Sequence, residues 1–164
     1  MKKSIFRSIV VIIILLAIIT CFCACSSKSY DFEGVKIPLP KGFSVERSAG
    51  VYIAYGPDYP DNTDNITFVK TIADDINNYT EEALKESYAS VNIKVDSFDK
   101  FERWNIDGNP ALYIEFGYTY AGIKMKLKQL NIFLEDRTVT ISYTDISGEY
   151  TSAFDESIKG IQIK

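Results

Sequence analysis

The chain has 164 residues, 18 of them basic and 22 acidic, for a formal charge of −4, and it contains no histidine. That length holds one domain plus an N-terminal segment. Without histidine there is no Ser-His or Cys-His catalysis and no imidazole metal ligand, and the acidic balance argues against nucleic acid as a partner.

The N-terminus reads MKKSIFRSIVVIIILLAIITCFCACSS, with Lys2, Lys3 and Arg7 ahead of an unbroken apolar run from Ile9 to Ile19 and no acid before Asp31. An apolar core this short fits a secretory signal better than a spanning helix, which takes about 20 residues. The alternative is an uncleaved membrane anchor. Phe22-Cys23-Ala24-Cys25 resembles the lipobox of bacterial lipoproteins: an apolar residue, a tolerant position, a small residue, then the cysteine that is lipidated. Cys21 and Cys23 follow Thr20 and Phe22 and lack the small residue. The resemblance implies a signal peptide over 1–24, cleavage before Cys25, a thioether-linked diacylglyceride (palmitate-type chains) on Cys25, and a polar tether to residue 29. Residues 30–164 would then form one domain on the extracytoplasmic face of the cell membrane. Two acyl chains hold a domain stably on a bilayer. Cleavage would leave 140 residues and remove three basic residues but no acid, taking the formal charge to −7. Such a domain gains nothing from anionic headgroups. With Cys25 lipidated, no thiol remains for a disulfide, a zinc site or a nucleophile.

After the tether, Tyr30–Ile37 reads as a short first strand carrying Phe32, Val35 and Ile37. Pro38 and Pro40 force an extended corner through Gly42, because each proline fixes φ and lacks a donor. Phe43–Val45 and Val51–Tyr55 follow as strands, the second with Val51, Ile53 and Tyr55 on one face. The loop Gly56–Asn65 places Asp58, Asp61 and Asp64 beside Asn62 and Asn65, oxygen ligands of the kind calcium takes. Its spacing is not that of an EF-hand loop and no Glu closes it, so a solvated turn is expected, and the sequence leaves calcium binding by Asp58–Asp64 open.

Ile66–Ile72 is β-branched and apolar enough for an interior strand. Thr80 is the predicted N-cap of a helix running to about Ser90, with Glu81 and Glu82 where the macrodipole favours anions and Leu84, Tyr88 and Val91 as its apolar stripe. The pairs Asp74-Asp75 and Glu81-Glu82 are not an acid/base couple: neighbours on a strand or loop point apart, and acids at a helix start have a structural reason. Asp96–Ile106, with Phe98, Phe101, Trp104 and Ile106, reads as a strand with a bulge.

Ile106–Thr144 is the stretch around which the domain is organised, an antiparallel meander with turns at Asp107-Gly108, Ala121-Gly122 and Glu135-Asp136. In Ala111–Tyr120 the even positions Leu112, Ile114, Phe116, Tyr118 and Tyr120 predict a buried face, and Glu115, Gly117 and Thr119 a wetter one. Thr138–Thr144 repeats the pattern with Val139, Ile141 and Tyr143. Between them, Ile123, Met125 and Leu127 alternate with Lys124, Lys126 and Lys128, and then Leu130, Ile132 and Leu134 take up the lysine parity. Either a bulge lies near Gln129 or one end is covered on the opposite face, and the lysine row is expected to be solvated. Glu149–Lys159 places Tyr150, Phe154 and Ile158 on one helical stripe; Gly160 is expected to end that helix in the left-handed region, ahead of a short terminal strand.

The order of these features resembles the PsbP-like superfamily and its DcrB-type bacterial lipoproteins: a lipobox, Ile37-Pro38-Leu39-Pro40-Lys41-Gly42-Phe43, a middle helix, Ile106-Asp107-Gly108-Asn109-Pro110-Ala111, three strands and a final amphipathic helix. The resemblance implies an α+β fold, an antiparallel sheet of about six to seven strands sandwiched between helices. It also implies a role in binding or stabilising other proteins, with no shared catalytic residues. The expected function is a membrane-anchored, non-catalytic accessory or protein-binding module with an envelope protein as partner, no cofactor, and a binding surface the sequence does not locate. The alternative is a surface hydrolase or small-ligand receptor using carboxylates and tyrosines. Glu115 is the first acid that bears on the choice: burial with a raised pKa beside a cavity favours catalysis, and exposure or pairing with a lysine counts against it.

Overall fold

The computed structural model describes residues 28–48, 50–120 and 122–164. The signal segment, Cys25 and most of the tether lie outside the described residues. The fold is α+β, with a seven-stranded antiparallel sheet and a second sheet of three strands. The small sheet holds β1 (Ser29–Phe32), β2 (Val35–Pro38) and β10 (Gln162–Ile163), in the order β1-β2-β10. The large one holds β3 (Ser44–Ser48), β4 (Val51–Tyr55), β5 (Asn65–Ile72), β6 (Lys100–Ile106), β7 (Asn109–Tyr120), β8 (Ile123–Phe133) and β9 (Arg137–Asp145), in the order β3-β4-β5-β9-β8-β7-β6. Two helices, α1 (Glu81–Ser90) and α2 (Thr151–Lys159), lie on opposite faces of the large sheet.

The meander β7-β8-β9 is central, as the alternation predicts, and its pairing explains the parity change in β8. β7 and β8 pair in one unbroken register from Ala111 opposite Ile132 to Tyr120 opposite Ile123, so there is no bulge at Gln129. Instead the cover changes sides. Leu127 packs under α1 with Leu84, Leu112, Ile114 and Phe116, while Leu130 and Ile132 pack under α2 and the small sheet with Phe154, Ile158, Val35 and Ile37. The centre of the sheet is therefore buried on both faces. Ala111 and Tyr113, on the face expected to be wetter, are as buried as Leu112.

Other elements depart from the sequence reading for local reasons. Tyr30–Ile37 is a hairpin rather than one strand, because Glu33 and Gly34 both take positive φ, the geometry of a two-residue hairpin turn. The third strand begins after Phe43, whose ring is buried in the core. On β4 the core takes Tyr52 and Ala54, leaving Val51, Ile53 and Tyr55 part-exposed on the α1 side, where α1 covers only β7 and β8. β6 is shorter than expected and starts at Lys100. Thr80 caps α1, its hydroxyl accepting from the Ala83 N–H, but Val91 sits at the C-cap and is 59% exposed rather than part of the stripe. Gly160 ends α2 at φ −93°, not in the left-handed region.

Candidate functional site

The acid singled out by the sequence sits in a row of alternating charge. Lys100, Glu115 and Lys128 are cross-strand neighbours on β6, β7 and β8, and all point toward α2. Lys100 Nζ lies 3.3 Å from Glu115 Oε2, and the Tyr113 hydroxyl donates to the same oxygen at 3.1 Å. Burial first, and then the Glu115 carboxylate, push the Tyr113 phenol well above its ordinary range, so it remains a donor. Lys128 is buried and ion-paired with Asp155 of α2. This corrects the expectation of a solvated lysine row, since Lys124 and Lys126 are exposed but Lys128 is not. The parity that puts Leu130 and Ile132 under α2 puts Lys128 there too, and only a carboxylate on α2 makes that tolerable. Glu115 thus meets the criterion that counts against catalysis, pairing with a lysine.

The acidic loop is organised by one inward residue. Asp64 is buried; its Oδ1 accepts the N–H groups of Ile146 at 2.6 Å and Ser147 at 3.1 Å, and its Oδ2 accepts from the Ser147 hydroxyl. Asp145, also buried, accepts the Gly148 N–H at 2.7 Å and the Thr151 hydroxyl. Asp58 accepts weakly from the Tyr150 hydroxyl at 3.4 Å. Asp64 and Asp145 therefore fix the segment that carries the chain from β9 into α2. Among the described residues no three Asp or Glu side chains converge as metal ligands. Sequence reasoning missed the inward turn of Asp64; a carboxylate directly before an interior strand, in a loop otherwise polar, was its one signal. Asp74 and Asp75 also serve the backbone, capping the 3-10 turn Ile76–Asn78, and the Asn78 amide beside Asp74 lowers its pKa.

Next to that segment lies a cavity of about 730 Å³, whose lining includes Lys94, Asp96, Lys124, Lys126, Asp145 and Ser147. It flanks a two-stranded ribbon. β6 leaves β7 after Glu115, and β9 pairs with β8 only from Lys126 onward, so Tyr118–Tyr120 and Ile123–Met125 pair only with each other. Tyr120 and Ile123, paired across the ribbon tip, are 53% and 50% exposed. Gly122 supplies the positive φ that the turn requires. A second depression, of about 640 Å³, lies at the opposite end, near Pro110, Phe133 and Ile76. Among the described residues no helix is long and apolar enough to cross a membrane.

No protein-family model matches the sequence, and a search of curated proteins finds no match. Solved structures do match. Cyanobacterial PsbP (CyanoP) from Synechocystis aligns with a TM-score of 0.61 at 12% identity, over 84% of this chain and 92% of that one. LpqN of Mycobacterium tuberculosis, involved in cell envelope biogenesis, aligns at 0.56 and 11% identity, over 86% and 87%. A protein from Bacteroides thetaiotaomicron aligns at 0.54 and 15% identity, over 85% of this chain but 49% of its own length. At these identities the likeness shows the fold, which is PsbP-like in its α/β/α arrangement.

Proposed function

We propose that this chain is an exported lipoprotein, held by a diacylglyceride on Cys25 to the extracytoplasmic face of the cell membrane, where its PsbP-like domain acts as a non-catalytic accessory that binds an envelope protein. The observation that carries the non-catalytic part is the pairing of Glu115 with Lys100 and Tyr113. The acid that the sequence singles out is engaged in structure, and the buried carboxylates Asp64 and Asp145 are engaged by backbone N–H groups and hydroxyls. Acyl transfer or metal-assisted hydrolysis needs an activated nucleophile or a bound ion, and the residues described here converge on neither. The PsbP-like fold supports the accessory role by analogy, a weaker warrant. A partner has a natural seat on the part-exposed α1-side face of β4 and β5, where Val51, Ile53 and Val69 meet solvent.

Two measurements test this reading. Cys25→Ser should release the protein from membranes or leave it unprocessed with its signal attached; a Ser variant processed to the same size and still membrane-bound would contradict the anchor. The purified protein should show no turnover on glycan, peptide and ester substrates. Reproducible turnover abolished by a single Asp or Glu substitution, with the fold intact, would support the hydrolase alternative instead.

A further inference from the structure

The ribbon of β7 and β8 carries apolar and cationic groups in an arrangement that nothing in the rest of the domain uses. Tyr120 and Ile123 stand side by side at its tip, half exposed, beyond the last pairing with β6 and β9. Lys124 and Lys126 project from one face of the ribbon, opposite Thr119 and Gly117, and among the described residues neither pairs with a carboxylate. Of the charged groups around the cavity, Lys94 is paired with Asp96 at 3.0 Å, and Asp145 is turned inward onto Gly148 and Thr151. The acidic loop opens at the same end of the sheet, with β9 between its strand β5 and the ribbon strand β8, and its inward Asp64 is taken up by Ile146 and Ser147. On a domain of acidic balance, the ribbon thus carries two lysines without an ion pair beside an apolar point, with the inward-turned Asp145 as the cross-strand neighbour of Lys126.

Chain direction brings this patch toward the start of the domain. β1 runs from Ser29 to the Glu33–Gly34 turn, and that turn is bonded to Arg137 at the foot of β9, the end away from the ribbon tip. The chain therefore enters the small sheet from the ribbon's end, where Lys28 accepts the Leu39 N–H. Only three residues' reach, at most about 11 Å, separates Cys25 from Lys28. A domain held so closely presents its ribbon end to the bilayer.

We propose that the β7-β8 ribbon is a membrane-contact element whose occupant is an anionic phospholipid leaflet. The Tyr120 ring and Ile123 enter the interfacial layer, where an amphipathic aromatic is stable. Lys124 and Lys126 lay their aliphatic stems along it and meet lipid phosphates with their ammonium groups. The whole-domain charge gains nothing from such a surface; the contact rests on the two lysines that make no ion pair and on the apolar tip, while the nearest acid, Asp145, is engaged by Gly148 and Thr151. The proposal rests on the lipoprotein reading for bringing the leaflet near, and on the ribbon alone for the contact.

The test uses the full chain, purified from membranes and reconstituted into vesicles of phosphatidylethanolamine and phosphatidylglycerol with brominated acyl chains. Ile123→Trp reports the tip, and Ile72→Trp reports an exposed site at the opposite end of the sheet, each read above the Trp104 background. Quenching by bromine should be several-fold greater at 123 than at 72, and should fall when Lys124→Glu and Lys126→Glu are combined or when phosphatidylcholine replaces the anionic lipid. Equal or absent quenching at the two sites on a vesicle-bound chain overturns the proposal, as does a tip shielded from bromolipid by a second copy, seen as self-association by crosslinking. The mass of the mature N-terminus, measured on the same sample, reads lipidation separately. An unlipidated chain held by its uncleaved apolar segment would defeat the lipoprotein reading while the quenching still decides the ribbon contact.

Discussion

Gly160 shows how a residue can be placed correctly for the wrong reason. Its position after an amphipathic stripe marked the end of α2, and the helix does end there, but φ of −93° is open to any residue. What excludes a side chain is space: a Cβ at this position would lie 2.8 Å from Pro38 Cγ, on the strand that α2 crosses. Sequence could supply the helix end and not the approach of Pro38, 122 positions earlier in the chain. Gly160→Ala should therefore lower stability by about 1–3 kcal/mol through overpacking, read as a fall in the thermal midpoint. An unchanged or raised midpoint, the ordinary result of Gly→Ala where backbone and space allow it, would contradict the close approach. Asp64 and Lys128 were illegible for the same physical reason: each is buried by a partner remote in sequence, Ser147 for one and Asp155 for the other.

The central strands were the most legible elements, because period-2 alternation is a local property and the turns at Gly108 and Gly122 are set by local φ. What the alternation could not say is which layer covers each face. The face of β7 carrying Leu112, Ile114 and Phe116 lies under α1, while Ala111 and Tyr113 on the other lie under the small sheet and α2. Only past Glu115 does the second face open, to an exposed Gly117 and Thr119. That boundary makes a sharp contrast. Phe116→Asp puts an unpaired charge into the α1 core against Phe98 and Tyr88 and should cost several kcal/mol, about 3–5 by comparison with other uncompensated buried charges. Thr119→Asp, three residues on and facing solvent, should change stability by no more than about 0.5 kcal/mol. Denaturant midpoints of the two variants measure the difference, and comparable losses would mean that the ribbon is covered. The β8 lysines, read as one solvated row, divide at the same boundary for the same reason.

At the scale of the molecule, an α+β sandwich could be expected from the order of strands and helices, and the likeness to CyanoP over 84% of the chain has the same architecture. The surface proposed for a partner was not legible, because it depends on absence of cover. α1 is ten residues long and reaches β7 and β8 but not β4 and β5, so one half of its face of the sheet remains open. In the lipid-anchored arrangement proposed here, the ribbon meets the leaflet and this open face is turned to a protein. The central claim, that the chain binds an envelope protein and performs no chemistry, is tested most directly by photo-crosslinking in intact cells. Photoreactive residues would replace Ile53 and Val69 on the open face, and captured proteins would be identified by mass spectrometry. The account predicts one or a few envelope proteins, captured reproducibly from both positions and lost when Val51 and Tyr55 are changed to Ser. Absence of any protein adduct from that face, with expression and membrane attachment unchanged, would contradict it.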